Sequence, residues 1–506
     1  MTISLHKNAI KALLVLSYIS LSMVIVVGLS AVLTYLNTGA DRNIMLHNKI
    51  HETIHYQPTI QWNTEHNLGR AMDDFTLQKI EKDYLNAWYV KHIAFYKNTS
   101  KGLKDYYTKS ALQTLLSGIE FNQQNNIHIN ATTLNHHTTL DFFSEDGQLV
   151  VLTDHNVKEF KQVYTDNQIQ TNTTEINTYK VLLLLEDAFW RIRHIVKVQP
   201  TQQHISQHPT VKIDYNIKGI NYYPQNTPWD MFGDEFDPKI IAKDFDIIRQ
   251  AGLNTIRIFI QYEDFGKSEV LSDKIKKLQT VLNLADQKQL KVIPTLFDFY
   301  GNYDVLDWTL NNKHAKTIVK ACKDYSALLA WDIKNEPNLD FESRGKERVL
   351  AWLAQMIAVV KNEDSVHPVT IGWSNVKSAT LLADKVDLVT FHYYEDLNSL
   401  ATKHQQLQKE IPHKKIILGE FGLSSYRGLW NPLGHSETDQ AEYHKKFQEI
   451  AQQNGIDFLS WTLYDFTKVP SSVVGKLPWR KHQQKHFGFI DKNKKQKKSF
   501  QYIAKP

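Results

Sequence analysis

The sequence predicts an α/β protein built on a closed barrel of eight strand-and-helix units, with a smaller α+β unit and an apolar helix ahead of it. Three observations carry this. From residue 213 to 506, short β-rich runs alternate with amphipathic helices, the pattern of parallel βα units. Polar and ionisable residues recur at the C-terminal ends of those runs, where such a barrel has its mouth. Ahead of them lie a stretch without charge, then helices, then a meander of strands.

In the stretch "AIKALLVLSYISLSMVIVVGLSAVLTYLNTGA" no charge occurs between Lys11 and Asp41, and the apolar core runs from Ala12 to Leu36. That length spans a bilayer as a helix. A cleaved signal peptide has a shorter apolar region and a small-x-small cleavage site. Lys7 and Lys11 precede the span, so the positive-inside rule leaves a short cytoplasmic N-terminus and exports the rest. The expected location is therefore the inner (cytoplasmic) membrane, single-pass, with the C-terminal domains outside the cytoplasm, periplasmic in a Gram-negative cell. Of 506 residues, 42% are hydrophobic and 11% aromatic, so the remainder can bury a large core. A net charge of +5 is small for this length, and only the tail "DKNKKQKKSF" is a basic run, so no nucleic acid partner is implied. Cys322 is the single cysteine, which excludes intramolecular disulfides and multi-cysteine metal sites.

Residues 37–75 are polar and His-rich and read as a linker with at most one short helix. From Phe75 to Glu120, apolar and aromatic residues recur at helical spacing, giving one long or two shorter amphipathic helices. The runs "HTTLDFFS", "QLVVLTDHNV", "EFKQVYT" and "TEINTYKVLLLLEDAFWRIRHIVKV" then read as strands. With its "YLNAWY" and "LKDYYTKSAL" helical pattern and closing strand "LEDAFWRIRHIV", this part resembles the NTF2-like superfamily. The resemblance implies helices laid across a curved antiparallel sheet, and a spacer or protein-partner role. His136, His137 and His155 are expected to be packed or solvated. The expected boundaries are a cytoplasmic N-terminus at 1–11, a transmembrane helix at 12–36, a linker at 37–75, the NTF2-like α+β domain at 76–198, a linker at 199–211 and the barrel domain at 212–506.

Eight strands follow: "IKGINYY", "NTIRIFI", "KVIPTLFDF", "LLAWDIKNEP", "PVTIGW", "VDLVTFHYY", "KIILGEFG" and "IDFLSWTLYDF". The number and spacing match a (β/α)8 TIM barrel. Gly252 is expected to end the first helix, and Ser436 and Asp439 to open another with a capping box. Reading only strand ends collects Asn221, Tyr222, Arg257, Asp298, Asn335, Glu336, Trp373, His392, Tyr394, Glu420 and Trp461. Two glutamates on separate strands among aromatic rings point to glycoside hydrolysis, in which one carboxyl is protonated and the other ionised. Asp332 lies deeper and is expected to satisfy a buried network.

The order of "GINYYPQNTPW", "GLNTIRIFI", "IPTLFDFYG", "WDIKNEP", "FHYYED", "LGEFG" and "SWTLYDF" resembles the retaining β-glycosidases of clan A, nearest to the family 5 cellulase and mannanase group. The resemblance implies Glu336 as general acid/base and Glu420 as nucleophile. Asn335 then binds the sugar 2-hydroxyl, Arg257 supports the nucleophile, Tyr394 bonds near it, His392 lines the site and Trp461 forms the floor. Asp298, Asn221 and Trp373 complete the substrate-binding set. Strand three ends in "TLFDFYG", where many members carry a His. Glu336 is expected to have the higher pKa of the two glutamates. Loops carrying Arg427, Trp430, Trp479, Arg480 and Lys481 reach the mouth, and their basic residues suit an acidic or substituted polysaccharide. No metal or cofactor is expected; the partner is a polysaccharide or oligosaccharide, and an anchor implies an exported cell-surface glycan. Two other readings are a catalytically silent glycan-binding protein and a transglycosylase using the same glutamates.

Overall fold

The structure, a computed structural model, describes residues 2–37, 56–166, 168–198, 211–429, 431–474 and 477–505. Met1–Ile54 and His55–Pro506 form two separate units. In the first, Thr2–Asn37 is one continuous helix. Among the described residues no helix is long and apolar enough to cross a membrane, so the span expected over 12–36 is not shown. The linker expected at 199–211 lies outside the described residues except for Val211.

The second unit opens with the α+β domain. Its strands are β1 (Thr59–Asn63), β2 (Ile127–Thr133), β3 (Asn135–Phe143), β4 (Leu149–Thr165), β5 (Gln168–Glu186) and β6 (Phe189–Val198), in the order β1-β3-β4-β5-β6, with β2 also on β4. Two of these lie outside the expected set. β1 falls within the presumed linker, where Tyr56 is buried and Thr59–Asn63 pairs in parallel with β3, so the domain starts about twenty residues earlier than 76. β2 was hidden in the polar run "IHINATT", whose partner is the second half of β4. Conversely, the two strands expected over 148–165 are one: Asn156, at φ 51°, absorbs a register shift and the strand continues. The helices Asp74–Lys97 and Lys109–Gln124 cover the sheet through Ile80, Tyr84, Trp88, Leu115 and Ile119, packed on Leu152, Val181, Leu183 and Trp190. Asp73 caps the first, its side chain accepting from the Thr76 amide at 2.8 Å.

The eight remaining strands are β7 (Lys218–Asn221), β8 (Thr255–Gln261), β9 (Lys291–Asp298), β10 (Trp331–Asn335), β11 (Val369–Trp373), β12 (Leu388–His392), β13 (Lys415–Glu420) and β14 (Asp457–Ser460), all parallel and closed into a barrel. They are buried on both faces, which is why they read as near-continuous apolar runs. Ile213 and Tyr215 pack against the cluster of Ile217, Ile293, Leu329, Leu388, Ile417 and Leu459. Gly252, at φ 86°, follows the helix Pro238–Gln250 as expected, and Ser436 and Asp439 form the capping box of Glu437–Asn454.

The α+β domain is packed directly on the barrel. Phe160 lies against Trp308 with ring centroids 4.3 Å apart, and Leu134 belongs to the barrel's core. Asn130 Nδ2 donates to Asp304 Oδ1 at 3.0 Å and the Gln57 amide to Thr309 Oγ1 at 2.9 Å. The contact buttresses the turn and helix that follow β9, the strand carrying Asp298.

Candidate active site

Strands of a parallel barrel all end on one face, so residues distant in sequence meet there when they fall at strand ends. Register brings Asn221 beside Arg257, Asn335 beside Gly372 and His392 beside Glu420. Arg257 is the hub. Its Nη1 donates to Glu420 Oε1 at 2.8 Å and to Asn221 Oδ1 at 3.1 Å; Nε and Nη2 donate to Asp332 Oδ2 at 3.0 and 2.6 Å, and Nη2 to Asn335 Oδ1 at 2.9 Å. Asp332 also accepts from Thr295 Oγ1 at 2.7 Å and the Gly372 amide at 2.9 Å, the buried network expected of it. A Cβ on Gly372 would stand 2.7 Å from Arg257 Nη2, so a side chain there would displace the guanidinium. Removing one member of such a buried ion pair leaves an uncompensated charge. Arg257→Met is therefore expected to destabilise the protein by about 3–5 kcal/mol, read from its urea unfolding midpoint.

Glu420 lies at the end of β13 with its side chain 8% exposed. Tyr394 donates its hydroxyl to Glu420 Oε2 at 3.1 Å. The Tyr394 residue is 46% exposed, yet its hydroxyl is buried, and burial with the neighbouring Glu420 charge keeps it protonated. Glu336 follows β10 in the left-handed region, φ 47° and ψ 47°, an uncommon place for a non-glycine residue and more so before proline. Its amide donates to Gly372 O at 2.7 Å and its carbonyl accepts from the Leu339 amide at 3.1 Å, which hold that conformation and aim the carboxyl inward. Backbone strain of this kind concentrates at functional sites. His392 Nδ1 lies 2.8 Å from Glu336 Oε1 and 3.6 Å from Glu420 Oε2. Carboxylate oxygens of the two glutamates come within 4.8 Å of each other.

The expected order of the two pKa values is reversed. Burial pushes Glu420 up against the pull of His392 and Arg257. Glu336 is buried too, but the hydrogen bond and charge of His392 bring it below the ordinary carboxylate value, with help from Arg257 and Lys334. The sequence shows that the carboxylates face each other; it does not show on which one the imidazole rests. Glu336, His392 and Glu420 are also the single group of potential metal ligands among the described residues. A cation there would face the Arg257 guanidinium across Glu420.

These groups form the base of a cleft of about 860 Å³, lined by Tyr223, Trp229, Phe259, Trp461 and Phe487 as apolar walls and by Asp298, Lys334, Asn335, Asp340, Arg344 and Arg480 as polar ones. Trp461 is in the floor, as expected. Asp298, 4% exposed, is pushed up to about 7 chiefly by burial. Because folded Asp298 binds its proton more tightly than the unfolded chain, with an ordinary value of 3.8, it lowers stability progressively as pH rises from about 4 to 7. Asp298→Asn is expected to flatten the fall in Tm between pH 5 and 8, measured by thermal melts across that range.

Four of the expected substrate-binding residues are not in the cleft lining, among them Arg257, 1% exposed and bonded to Glu420. Asn221 is fully buried behind Arg257, its amide nitrogen spent on Gly419 O at 2.9 Å and Ser460 O at 3.2 Å; it orients Arg257. Trp373, 1% exposed, packs edge-on to Phe341 in the core. His392 lies beneath the glutamates, 1% exposed. Arg427 is held within its own loop by Gly434 O at 2.7 Å, Lys481 donates to Ser471 Oγ at 2.8 Å, and Trp430 lies outside the described residues. In the small domain, His136 is buried with Nδ1 2.6 Å from Asp154 Oδ2, while His137 is exposed with Gln61 as its partner and His155 is part-buried with Thr139 as its partner. The sequence reading missed Lys334, although alternation along "WDIKNEP" sets it on the same face as Asp332.

An eight-stranded parallel barrel with two facing carboxylates at the ends of its fourth and seventh strands is the architecture and site arrangement of the glycoside-hydrolase class. The family described as cellulase (glycosyl hydrolase family 5) matches residues 212–467, half the chain, and the chain belongs to that family. It is similar to the beta-glucuronidase of Homo sapiens, 24% identical over 289 residues, covering 52% of this chain and 41% of that protein. It is also similar to mannan endo-1,4-beta-mannosidase 5 of Solanum lycopersicum, 26% identical over 250 residues, covering 41% of this chain and 57% of that one. The chain thus spans about two fifths to three fifths of the length of these relatives. Among solved structures, an exo-beta-1,4-mannosidase from Opitutaceae bacterium strain TAV5 superposes with a TM-score of 0.46 at 18% identity, covering 57% of this chain and 58% of that one.

Proposed function

We propose that this glycoside hydrolase is a retaining β-glycosidase that cleaves a β-linked polysaccharide by double displacement. The observation that carries the reading is the approach of the Glu336 and Glu420 carboxylate oxygens to within 4.8 Å. Retaining enzymes hold their carboxyl groups about 5–5.5 Å apart, whereas inverting ones leave about 6.5–9.5 Å for a water. Glu420 attacks the anomeric carbon, fixed by the two charge-assisted contacts from Arg257 and Tyr394. Glu336 gives its proton to the departing oxygen as the sugar, by excluding water, disfavours its charged form. Once Glu420 is an ester its negative charge is gone, the repulsion that favoured a proton on Glu336 vanishes, and Glu336 becomes the base that activates water. Aromatic walls cover sugar faces while Asn335 and Asp298 bind hydroxyls.

Incubating the full-length protein with β-glucan and β-mannan oligosaccharides and following the first-formed product by NMR tests this. The β-anomer is expected first; an α-anomer would overturn retention.

The uncharged run at 12–36 and the helical backbone of Thr2–Asn37 support membrane anchoring, with the catalytic unit outside the cytoplasm and an exported glycan as its substrate. Fractionation of cells should recover the protein with membranes, and its release by truncation of residues 1–40 checks the cause. The small domain, NTF2-like by resemblance, is read as a buttress of the barrel on the strength of its Phe160 and Asn130 contacts.

A further inference from the structure

Among the described residues, three lysines are buried: Lys274, Lys334 and Lys497. Two are paired in the ordinary way. Lys274 Nζ donates to Asp264 Oδ1 at 2.6 Å, and Lys497 Nζ to Asp465 Oδ1 at 3.0 Å with His486 O at 3.3 Å. Lys334 is different. It is 4% exposed, yet its nearest carboxylate oxygen, Asp340 Oδ2, is 3.7 Å away, beyond hydrogen-bond distance. That oxygen already accepts from the Tyr303 hydroxyl. Lys334 lines the cleft on β10, two residues before Glu336, which follows that strand.

A cationic side chain this buried costs free energy unless its donors are met, and those of Lys334 reach the cleft. Asp340 attracts it most, through charge and this long contact, and Asp298 through charge alone. Asp298, with its value near 7, is also partly neutral at physiological pH, so it offsets less of the charge than a free aspartate would. Above Lys334, at the mouth, Arg344 and Arg480 are exposed and make no hydrogen bond or ion pair among the described residues. One buried cation held by a long contact only, and two guanidiniums unpaired among the described residues, line the same cleft.

We infer that the cleft takes an anionic β-glycan, one whose sugar carries a singly charged substituent, a uronic carboxylate or a sulfate ester, with Lys334 as the specificity-determining residue that receives it. The inference rests on reading this cleft as the sugar site. A neutral hydroxyl would satisfy one donor, whereas an anion forms charge-assisted hydrogen bonds roughly twice as strong, strengthened further where the bound glycan displaces water from the cleft. Arg344 and Arg480 then meet the charges of neighbouring units.

The test uses the full-length protein and three β-1,4-linked oligosaccharides: an oligoglucuronan, its carboxyl-reduced neutral counterpart and a sulfated form of that counterpart. Binding to Glu336→Gln is measured by calorimetry, and cleavage with the wild type. An anionic oligosaccharide is expected to bind more tightly than the neutral one, and which of the two anions gains identifies the substituent. Adding Lys334→Met to Glu336→Gln should reduce the anionic-to-neutral affinity ratio by about 10- to 100-fold, the range for losing a hydrogen bond to a charged group. Equal weakening for all three ligands would make Lys334 structural and overturn the inference. Should Lys334→Met fail to fold, the salt dependence of Glu336→Gln decides: anionic affinity falls with ionic strength while neutral affinity does not, and flat behaviour for all overturns it. Retaining cleavage of neutral glucan with no gain for either anion would remove this inference and leave the glycosidase reading intact. Lys334-dependent binding of an anion without cleavage of any substrate would do the reverse.

Discussion

Glu420→Gln is expected to lower kcat by at least about 10³-fold on every substrate while leaving the fold in place. The amide keeps the shape of the carboxyl: its oxygen can still accept from Arg257 Nη1, a contact now made at 2.8 Å, and its NH2 can donate to the Tyr394 hydroxyl, now at 3.1 Å, but it has no anion with which to attack carbon. Arg257 remains neutralised by Asp332, which holds it through Nε and Nη2, so the loss of charge at 420 does not strand the guanidinium. The measurement is steady-state kinetics beside a thermal melt, with mass spectrometry for the glycosyl-enzyme. The wild type treated with a substrate that deglycosylates slowly should gain the mass of the sugar; Glu420→Gln should gain none. A variant with wild-type turnover would remove Glu420 from the reaction.

Glu336→Gln is expected to have a different signature. Without a proton donor, departure of an alkoxide from an ordinary glycoside should slow by about 10²–10⁴-fold. An activated aryl glycoside leaves unaided, so its glycosylation step should be nearly unchanged and a burst of released phenol should precede slow hydrolysis, because the base for the second step is also missing. Loss of the pH dependence attached to Glu336 is the accompanying result. Uniform loss on both substrate classes would show instead that Glu336 holds the site together through its contact with His392 at 2.8 Å.

The two variants separate roles that the free protein's electrostatics do not display directly. His392 lowers the proton affinity of Glu336 and burial raises that of Glu420, so the unliganded pair titrates as a unit around a shared imidazole. The assignment of acid and nucleophile rests on surroundings that stay fixed. Arg257 and Tyr394 converge on Glu420, whereas Glu336, with its side chain 24% exposed, faces the open cleft where a leaving group departs.

Much of this was legible in the chain. Alternating strand and helix patterns specify parallel βα units, and closure of eight of them places every strand end on one face. Glu336, Glu420, Arg257, Asn335, Asp298, Tyr394 and Trp461 therefore met without any knowledge of distances. The same rule misplaced Asn221, Trp373 and His392, because a strand end says which face a residue reaches but not whether its side chain turns to the cleft or to the layer behind. It passed over Lys334, whose meaning depends on the hydrogen bond it lacks. β1 and β2 escaped because short polar segments carry little periodicity; their strand character comes from the edges of β3 and β4 that they pair with. Local pattern and composition determined the barrel and the pair of carboxylates, since both follow from which side chains recur at which spacing. Only the tertiary structure decided which carboxylate the imidazole touches, which polar groups face the cleft and which lysine is left with free donors, because burial and Coulomb interaction act through space between residues the sequence holds far apart.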